Sequence, residues 1–414
     1  MANRIWAGLD VGVETTSVCV IDDAGQVLHE AVCPTRLENV HREIRRFRRR
    51  RFARVALEAG TGVSRARGLR TLGYNVDIYE SRQLSKFLRV RRNKTDAGDA
   101  SGIAEAGRIG ASAISRVHLK SIECQALQSR LTIRRHLIRE RIAAVHLLCR
   151  QIELYGGRIA PATRALGLRK RVEPAIKKLF GSDCSGIAAE LRHLLDHCEA
   201  MVEHQQAGDR ALAQLACDIE ICRRFMAIPG IGPICALSFY AAVGEPERFS
   251  RSDSIGAYFG LAPTLHQSGL TSRAGRISRM GSAAMRSLLV QASITFMRSS
   301  GADSDLGAWA SAIAARPGPG RARVALARKL AILMLSMWKT GQAYRHSPSR
   351  ALPAATPDPG LRIASEDAIA VVGPALAAAP PRAAPAASCE SAKPIFSKTG
   401  ESPLARIHVE LAPE

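Results

Sequence analysis

The chain has 414 residues, room for two domains and their linkers, and its 59 lysines and arginines outnumber 37 acidic residues for a formal charge of +22. Such an excess suits a polyanionic partner, because Lys and Arg contacts to phosphates supply most non-specific affinity for nucleic acid. No basic stretch leads into an apolar leader and no run is long enough to cross a bilayer, so a membrane partner is excluded and a cytoplasmic protein is expected.

The first hundred residues alternate apolar runs with carboxylates. Residues 5–10 (IWAGLD) read as a strand ending at Asp10, followed by a Gly12 turn, a second apolar run at 18–21 and a Gly25 turn before Val27, which together predict an antiparallel hairpin. Residues 41–54 (HREIRRFRRRRFAR) form the densest basic patch, with Arg48, Arg49, Arg50 and Arg51 as candidate nucleic-acid contacts. The next strand carries Glu58 at its carboxyl end, where ligands gather in open α/β sheets. In residues 94–100 (KTDAGDA), Thr95 and Asp96 both suit a helix start, and Asp96 and Asp99 lie three apart on one face of the first turn. Asp10, Glu58, Asp96 and Asp99 are therefore candidate catalytic residues and ligands of a Mg²⁺ or Mn²⁺ site, since hard cations take oxygen ligands and can clamp a phosphodiester. Lys94 beside them is a candidate nucleic-acid contact.

Residues 121–155 repeat leucine and isoleucine at helical spacing and stop at Gly156, predicting one long amphipathic helix. Shorter helical patterns at 187–202 and 210–225 extend a helical arm that would pair with a partner subunit or lie along a duplex. Ten cysteines are scattered, only Cys217 and Cys222 are close, and no flanking histidine set accompanies them, so no zinc site is expected. At 229–233 (PGIGP), Gly230 and Gly232 open an apolar helix in the manner of a helix-hairpin-helix element, whose turn offers backbone N–H groups to a phosphate. A Gly, Ser and Arg-rich loop spans 267–282, with Arg273, Arg276 and Arg279 as candidate phosphate contacts; helical patterns return at 283–296 and 322–338. The Ala and Pro-rich composition after Arg345 predicts a disordered tail.

The carboxylate order Asp10, Glu58, Asp96, Asp99, together with KTDAGDA, PGIGP, GLAP at 260–263, QSG at 267–269 and GRISRMG at 275–281, resembles the DEDD transposases of bacterial insertion sequences. The likeness runs from residue 4 to about residue 344. It implies an α/β plus α architecture: a RuvC-like, RNase H-like domain at 1–115, a helical coiled-coil arm at 116–224, a mostly helical transposase domain at 225–345, and a tail at 346–414 outside the resemblance. It also implies a nucleophilic serine, Ser268 by motif position, a covalent phosphoserine link to DNA, and donor and target DNA paired by a non-coding guide RNA. A homo-oligomer, dimer to tetramer, is implied as well. Ser272 and Ser278 share the loop, and spacing alone leaves them open as the nucleophile; His266 lies two residues from Ser268. Two positions depart from the family pattern: Gly98 replaces a larger helical residue, costing about 1 kcal/mol of local helix stability, and Ser282 stands where asparagine often follows the glycine. Residues 10–22 also resemble the phosphate hairpin of sugar kinases and actin-like ATPases, but no second glycine-rich phosphate loop accompanies them. A RuvC-like junction nuclease without a covalent intermediate is the other enzymatic reading, and a basic nucleic-acid-binding protein with a decayed metal site the non-enzymatic one.

Overall fold

The computed structural model describes residues 4–47, 51–60, 62–89, 95–110, 114–159, 167–181, 186–268, 271–316 and 318–346. Arg48, Arg49, Arg50, Lys94 and all of the tail beyond His346 lie outside them. The chain divides into two compact units, one ending at Lys120 and the other beginning at Ser121.

The first unit is a mixed sheet covered by helices. Strands β1 (Arg4–Val11), β2 (Thr15–Asp22) and β3 (Val27–Pro34) form an antiparallel meander, and β4 (Arg51–Glu58) and β5 (Val76–Tyr79) add in parallel on the other side of β1, in the order β3-β2-β1-β4-β5. The predicted hairpin is present, with a Gly25 turn at φ 82° that suits glycine. Alternation sends Ile5, Ala7, Leu9, Val55 and Leu57 to one face, where Val40 and Ile44 of α1 (Leu37–Arg45) and Ala66 and Leu69 of α2 (Val63–Thr71) are buried with them. Trp6, Cys19 and Ile21 go to the other face, against Ala100 and Ala104 of α4 (Asp96–Ile109). Ala56 and Tyr79 continue that face, with Ile103 of α4 and Leu84 of α3 (Ser81–Leu88). Burial on both faces explains why β1 and β4 read as apolar runs. Asp77 of β5 is buried and ion-paired to Arg54 at 3.3 Å and Arg116 at 3.0 Å.

The second unit is mostly helical. The predicted long helix is α5 (Ile122–Leu154), capped by Ser121, whose hydroxyl accepts from Cys124 N at 3.1 Å. After α6 (Leu168–Phe180), the structure corrects the expectation of separate helices at 187–202 and 210–225: α7 (Gly186–Asp218) is continuous and α8 (Glu220–Met226) is a short successor. The polar segment between the two apolar stretches contains no proline, and a β carbon at Gly208 would meet nothing within 4 Å. That segment is a solvated stretch of helix rather than a break, and Asp209 there pairs with Arg134 of α5.

Then follow α9 (Pro233–Val243), α10 (Ser254–Tyr258), α11 (Ala283–Phe296), α12 (Asp305–Ala315) and α13 (Pro319–Thr340). Their core contains Phe225, Phe239, Phe259, Phe296 and Leu330, and it takes in Leu127 of α5 and Leu212 of α7. A separate cluster joins the distal half of α5 to α6 and the first half of α7 through Leu148, Ile152, Val172 and Leu191. The second correction concerns 267–282: β6 (Pro263–Ser268) and β7 (Thr271–Ile277) pair as an antiparallel two-stranded sheet where a loop was expected. Small and polar residues hide the strand period there. Among the described residues no helix is long and apolar enough to cross a membrane.

Candidate active site and nucleic-acid contacts

Leu9 pairs with Leu57 across the parallel β1–β4 ladder, so Asp10 and Glu58 are the next residues at the carboxyl ends of adjacent strands. Strand parity sets their direction. Gly8 and Ala56 face α4: a β carbon on Gly8 would lie 2.1 Å from Ala100 O and 2.2 Å from Ala104 N, and one on Gly107 would lie 3.0 Å from Ala56 Cβ. Asp10 and Glu58, two residues further along, leave the sheet on that same face.

Helix α4 packs on that face. Gly107 packs by Trp6 and Ala104 by Gly8, so the helix runs antiparallel to β1 and its first turn lies toward the Asp10 end. Its sheet-facing stripe of Gly107, Ala104, Ile103 and Ala100 continues at helical spacing into Asp99 and Asp96. Thr95 caps this end, its hydroxyl accepting from Gly98 N at 3.1 Å, and two carboxylates in the first turn also complement the helix dipole. Strand parity and helix spacing thus aim all four predicted carboxylates toward one rim of the sheet. Asp10, Glu58 and Asp99 are half-buried and Asp96 is exposed. Four carboxylates are the oxygen donors that Mg²⁺ or Mn²⁺ takes, so the donor chemistry fits such an ion. Among the described residues, however, no three His, Cys, Asp or Glu side chains are gathered into a metal-holding group.

The other predicted site residues lie in the second unit, apart from Arg51, whose backbone opens β4 opposite Arg4. Ser268 ends β6 in register with Thr271, Ser272 follows at the next rung opposite Gln267, and Arg273 pairs with His266. Ser278 is at the opposite end of the hairpin, its N–H donating to Ala262 O at 2.9 Å. Arg276 and Arg279 are exposed. In the PGIGP turn, Gly230 has φ 84° and a β carbon there would meet Ala292 O at 2.5 Å and Phe296 N at 2.8 Å, so packing on α11 requires that glycine. Gly232 is different: it caps α9 in extended conformation with nothing within 4 Å of a would-be β carbon.

Two structural residues escaped the sequence reading. Gly8 lets α4 touch the sheet backbone, and an isolated glycine in a strand is the signal for such an approach. Arg286 of α11 donates through Nη1 to Phe259 O, Met280 O and Gly281 O at 3.0–3.2 Å, clamping the hairpin base.

Residues 7–155, which hold all four carboxylates, match the DEDD transposase family of the IS110 type, and residues 222–306, which hold the PGIGP turn and the hairpin, match the transposase IS116/IS110/IS902 family. This chain is a transposase with the domains of the IS110/IS116 family. The transposase is 28% identical over 344 residues to the transposase for insertion sequence element IS1111A of Coxiella burnetii, covering 82% of this chain and 90% of that protein. It is also 28% identical to a probable family 20 transposase of Pseudomonas aeruginosa, over 73% of this chain and 91% of the relative. The transposase for element IS1328 of Yersinia enterocolitica is 28% identical as well, over 59% of this chain and 71% of its own length.

Proposed function

We propose that this transposase cleaves and rejoins DNA strands at the ends of an insertion sequence through a covalent phosphoserine at Ser268, with the Asp10, Glu58, Asp96 and Asp99 rim holding Mg²⁺ or Mn²⁺. The observation that carries the reading is the rim itself: two adjacent parallel strands and one helix stripe each end in carboxylates at the same edge. The strand order, an antiparallel meander extended by two parallel strands, supports an RNase H-like assignment for this unit.

In the proposed step, Ser268 Oγ attacks phosphorus, the Oγ–P bond forms and the bond from phosphorus to the leaving deoxyribose oxygen breaks. The hydroxyl proton is lost to a base and the leaving oxygen takes up a proton. Attack by a hydroxyl of a different strand then reverses the step, so bond energy is conserved without an external co-reactant. Asp10, Glu58, Asp96 and Asp99 would hold the divalent cation, which would supply Lewis-acid stabilisation of phosphoryl charge. The chain's own part is to fix the carboxylates on packed elements and to offer the serine at a strand end.

A non-coding guide RNA and a dimer or tetramer complete this reading, supported by the charge of +22 and by the family resemblance. The test is a denaturing gel of the full chain incubated with element-end DNA, the RNA transcribed from its flank, and Mg²⁺. A covalent protein–DNA band that Ser268→Ala removes, and that Ser272→Ala and Ser278→Ala keep, is the expected result. Cleaved DNA without any adduct would instead establish the hydrolytic nuclease, and ATP hydrolysis without DNA cleavage the kinase-like alternative.

A further inference from the structure

At the base of the β6–β7 hairpin is a cleft of about 400 Å³ whose polar lining is Arg279, Arg286, Ser287 and Gln291, the rest being apolar. Arg279 has φ 54° and is the one non-glycine residue with positive φ among the described residues. That conformation is strained for an L-residue and free of strain for glycine. It is imposed by the turn: Arg279 N donates to Gly260 O at 3.2 Å, and a β carbon on Gly260 would lie 2.2 Å from Met280 O. The turn therefore asks for glycine at 279 and carries a guanidinium instead, a local rule broken without a packing gain.

Arg286 brings the second charge. Its three backbone bonds all use Nη1, which leaves the Nε and Nη2 donors for another acceptor. Among the described residues no ion pair joins Arg279 or Arg286 to a carboxylate. Burial and the charge of Arg279 both push the Arg286 pKa down, as expected of two cations held together with no anion between them. Ser287 and Gln291 sit one turn apart on α11 and add a hydroxyl and an amide, both neutral donors. Two uncompensated guanidiniums with neutral donors around a small open cleft are complementary to one phosphate.

We propose that Arg279, Arg286, Ser287 and Gln291 form a subsite for one backbone phosphate of the DNA, remote from the scissile linkage. The inference rests on the DNA transposase reading and refines it. From Pro263 at the base to Ser268 at the strand end is five residue steps, about 17 Å at ~3.3 Å each, or about five nucleotides at ~3.4 Å rise. Arg279 is thus a positioning residue that fixes the register of the strand, and charge stabilisation at the reacting phosphorus falls to other groups.

The experiment measures affinity of the full chain for duplex DNA of arbitrary sequence across a salt series. Arg279→Gly relieves the strained backbone, so the thermal midpoint should hold or rise while affinity falls several-fold for every duplex and the slope of log K against log salt drops by about one. Arg279→Lys should restore the slope, which a merely structural role would not produce. Gln291→Glu, which leaves the Arg286 clamp untouched, should weaken binding in the same way. Wild-type affinity and slope in both Arg279→Gly and Gln291→Glu would overturn the subsite. So would an effect confined to a structured RNA probe, since the phosphate would then be RNA. A wild-type chain without salt-dependent duplex binding would sink the DNA reading itself, an outcome distinct from unchanged variants of a chain that binds.

Discussion

At the carboxylate rim, Asp10 and Glu58 extend strands buried on both faces and Asp96 and Asp99 extend a helix stripe packed on them, whereas Ser268 ends a strand that pairs with a single neighbour. A two-stranded sheet has little stability of its own. Its position is set at its base, where Gly260 and Gly281 admit the crossing backbone and Arg286 gathers three carbonyls. The rim is thus positioned by side-chain packing along its whole length and the hairpin by a clamp at one end. The metal site proposed for the rim would tolerate little displacement of its ligands, which suits the first construction. The nucleophile proposed at Ser268, which must meet a phosphodiester, is served by the second, provided the DNA is itself held in register.

The largest expected effect removes chemistry and leaves both constructions intact. Asp10→Asn should reduce strand cleavage and adduct formation to background together, with the thermal midpoint little changed, because the carboxylate lies beyond the buried part of β1. Ser268→Ala should equally abolish the adduct. Cleavage that survives Asp10→Asn at wild-type rate would remove this carboxylate from the site.

Next come the two glycines, one for each construction. Gly8→Ala puts a methyl 2.1 Å from Ala100 O, with backbone on both sides and no flexible side chain to yield. A loss of about 3 kcal/mol is expected from overpacking, read as a lower urea midpoint, with cleavage lost through displacement of the Asp96 and Asp99 turn. Gly260→Ala combines φ 67° with a 2.2 Å approach to Met280 O. It should cost about 2 kcal/mol and weaken DNA binding through the hairpin base. If Gly8→Ala were neutral, the close contact that aligns α4 with the sheet would be refuted.

How much of this was open to sequence reading follows the same division. The places of Asp10 and Glu58 at strand ends were legible because apolar runs end on them, and those of Asp96 and Asp99 in one helical turn because they lie three apart behind Thr95. A helix start at Thr95 or Asp96 and the helix from Ser121 were legible for the same local reasons, and the structure places the cap at Thr95. The paired strands were not: QSGLTSRAGR offers no alternation of apolar and polar residues, and β6 and β7 are defined by their pairing with each other. Continuity of α7 was hidden because a solvated helix surface resembles a linker in composition. Arg286 was invisible, since its partners Phe259, Met280 and Gly281 lie up to 27 residues away and use backbone carbonyls that any residue supplies.

The smallest expected effect probes whether packing alone suffices at the rim. Thr95 contributes one side-chain hydrogen bond to Gly98 N at 3.1 Å, in an exposed first turn that already carries two dipole-favourable carboxylates. Thr95→Ala should therefore cost only about 1 kcal/mol of stability, and Thr95→Ser should recover most of it. Amide exchange in the first turn of α4 should accelerate while the Ala100 to Gly107 contact region stays protected, because that stretch is held by the sheet and not by the cap. If strand cleavage falls by much more than the stability loss accounts for, the orientation of Asp96 and Asp99 depends on the cap; if it follows stability, the stripe packed on Gly8 is enough to aim them.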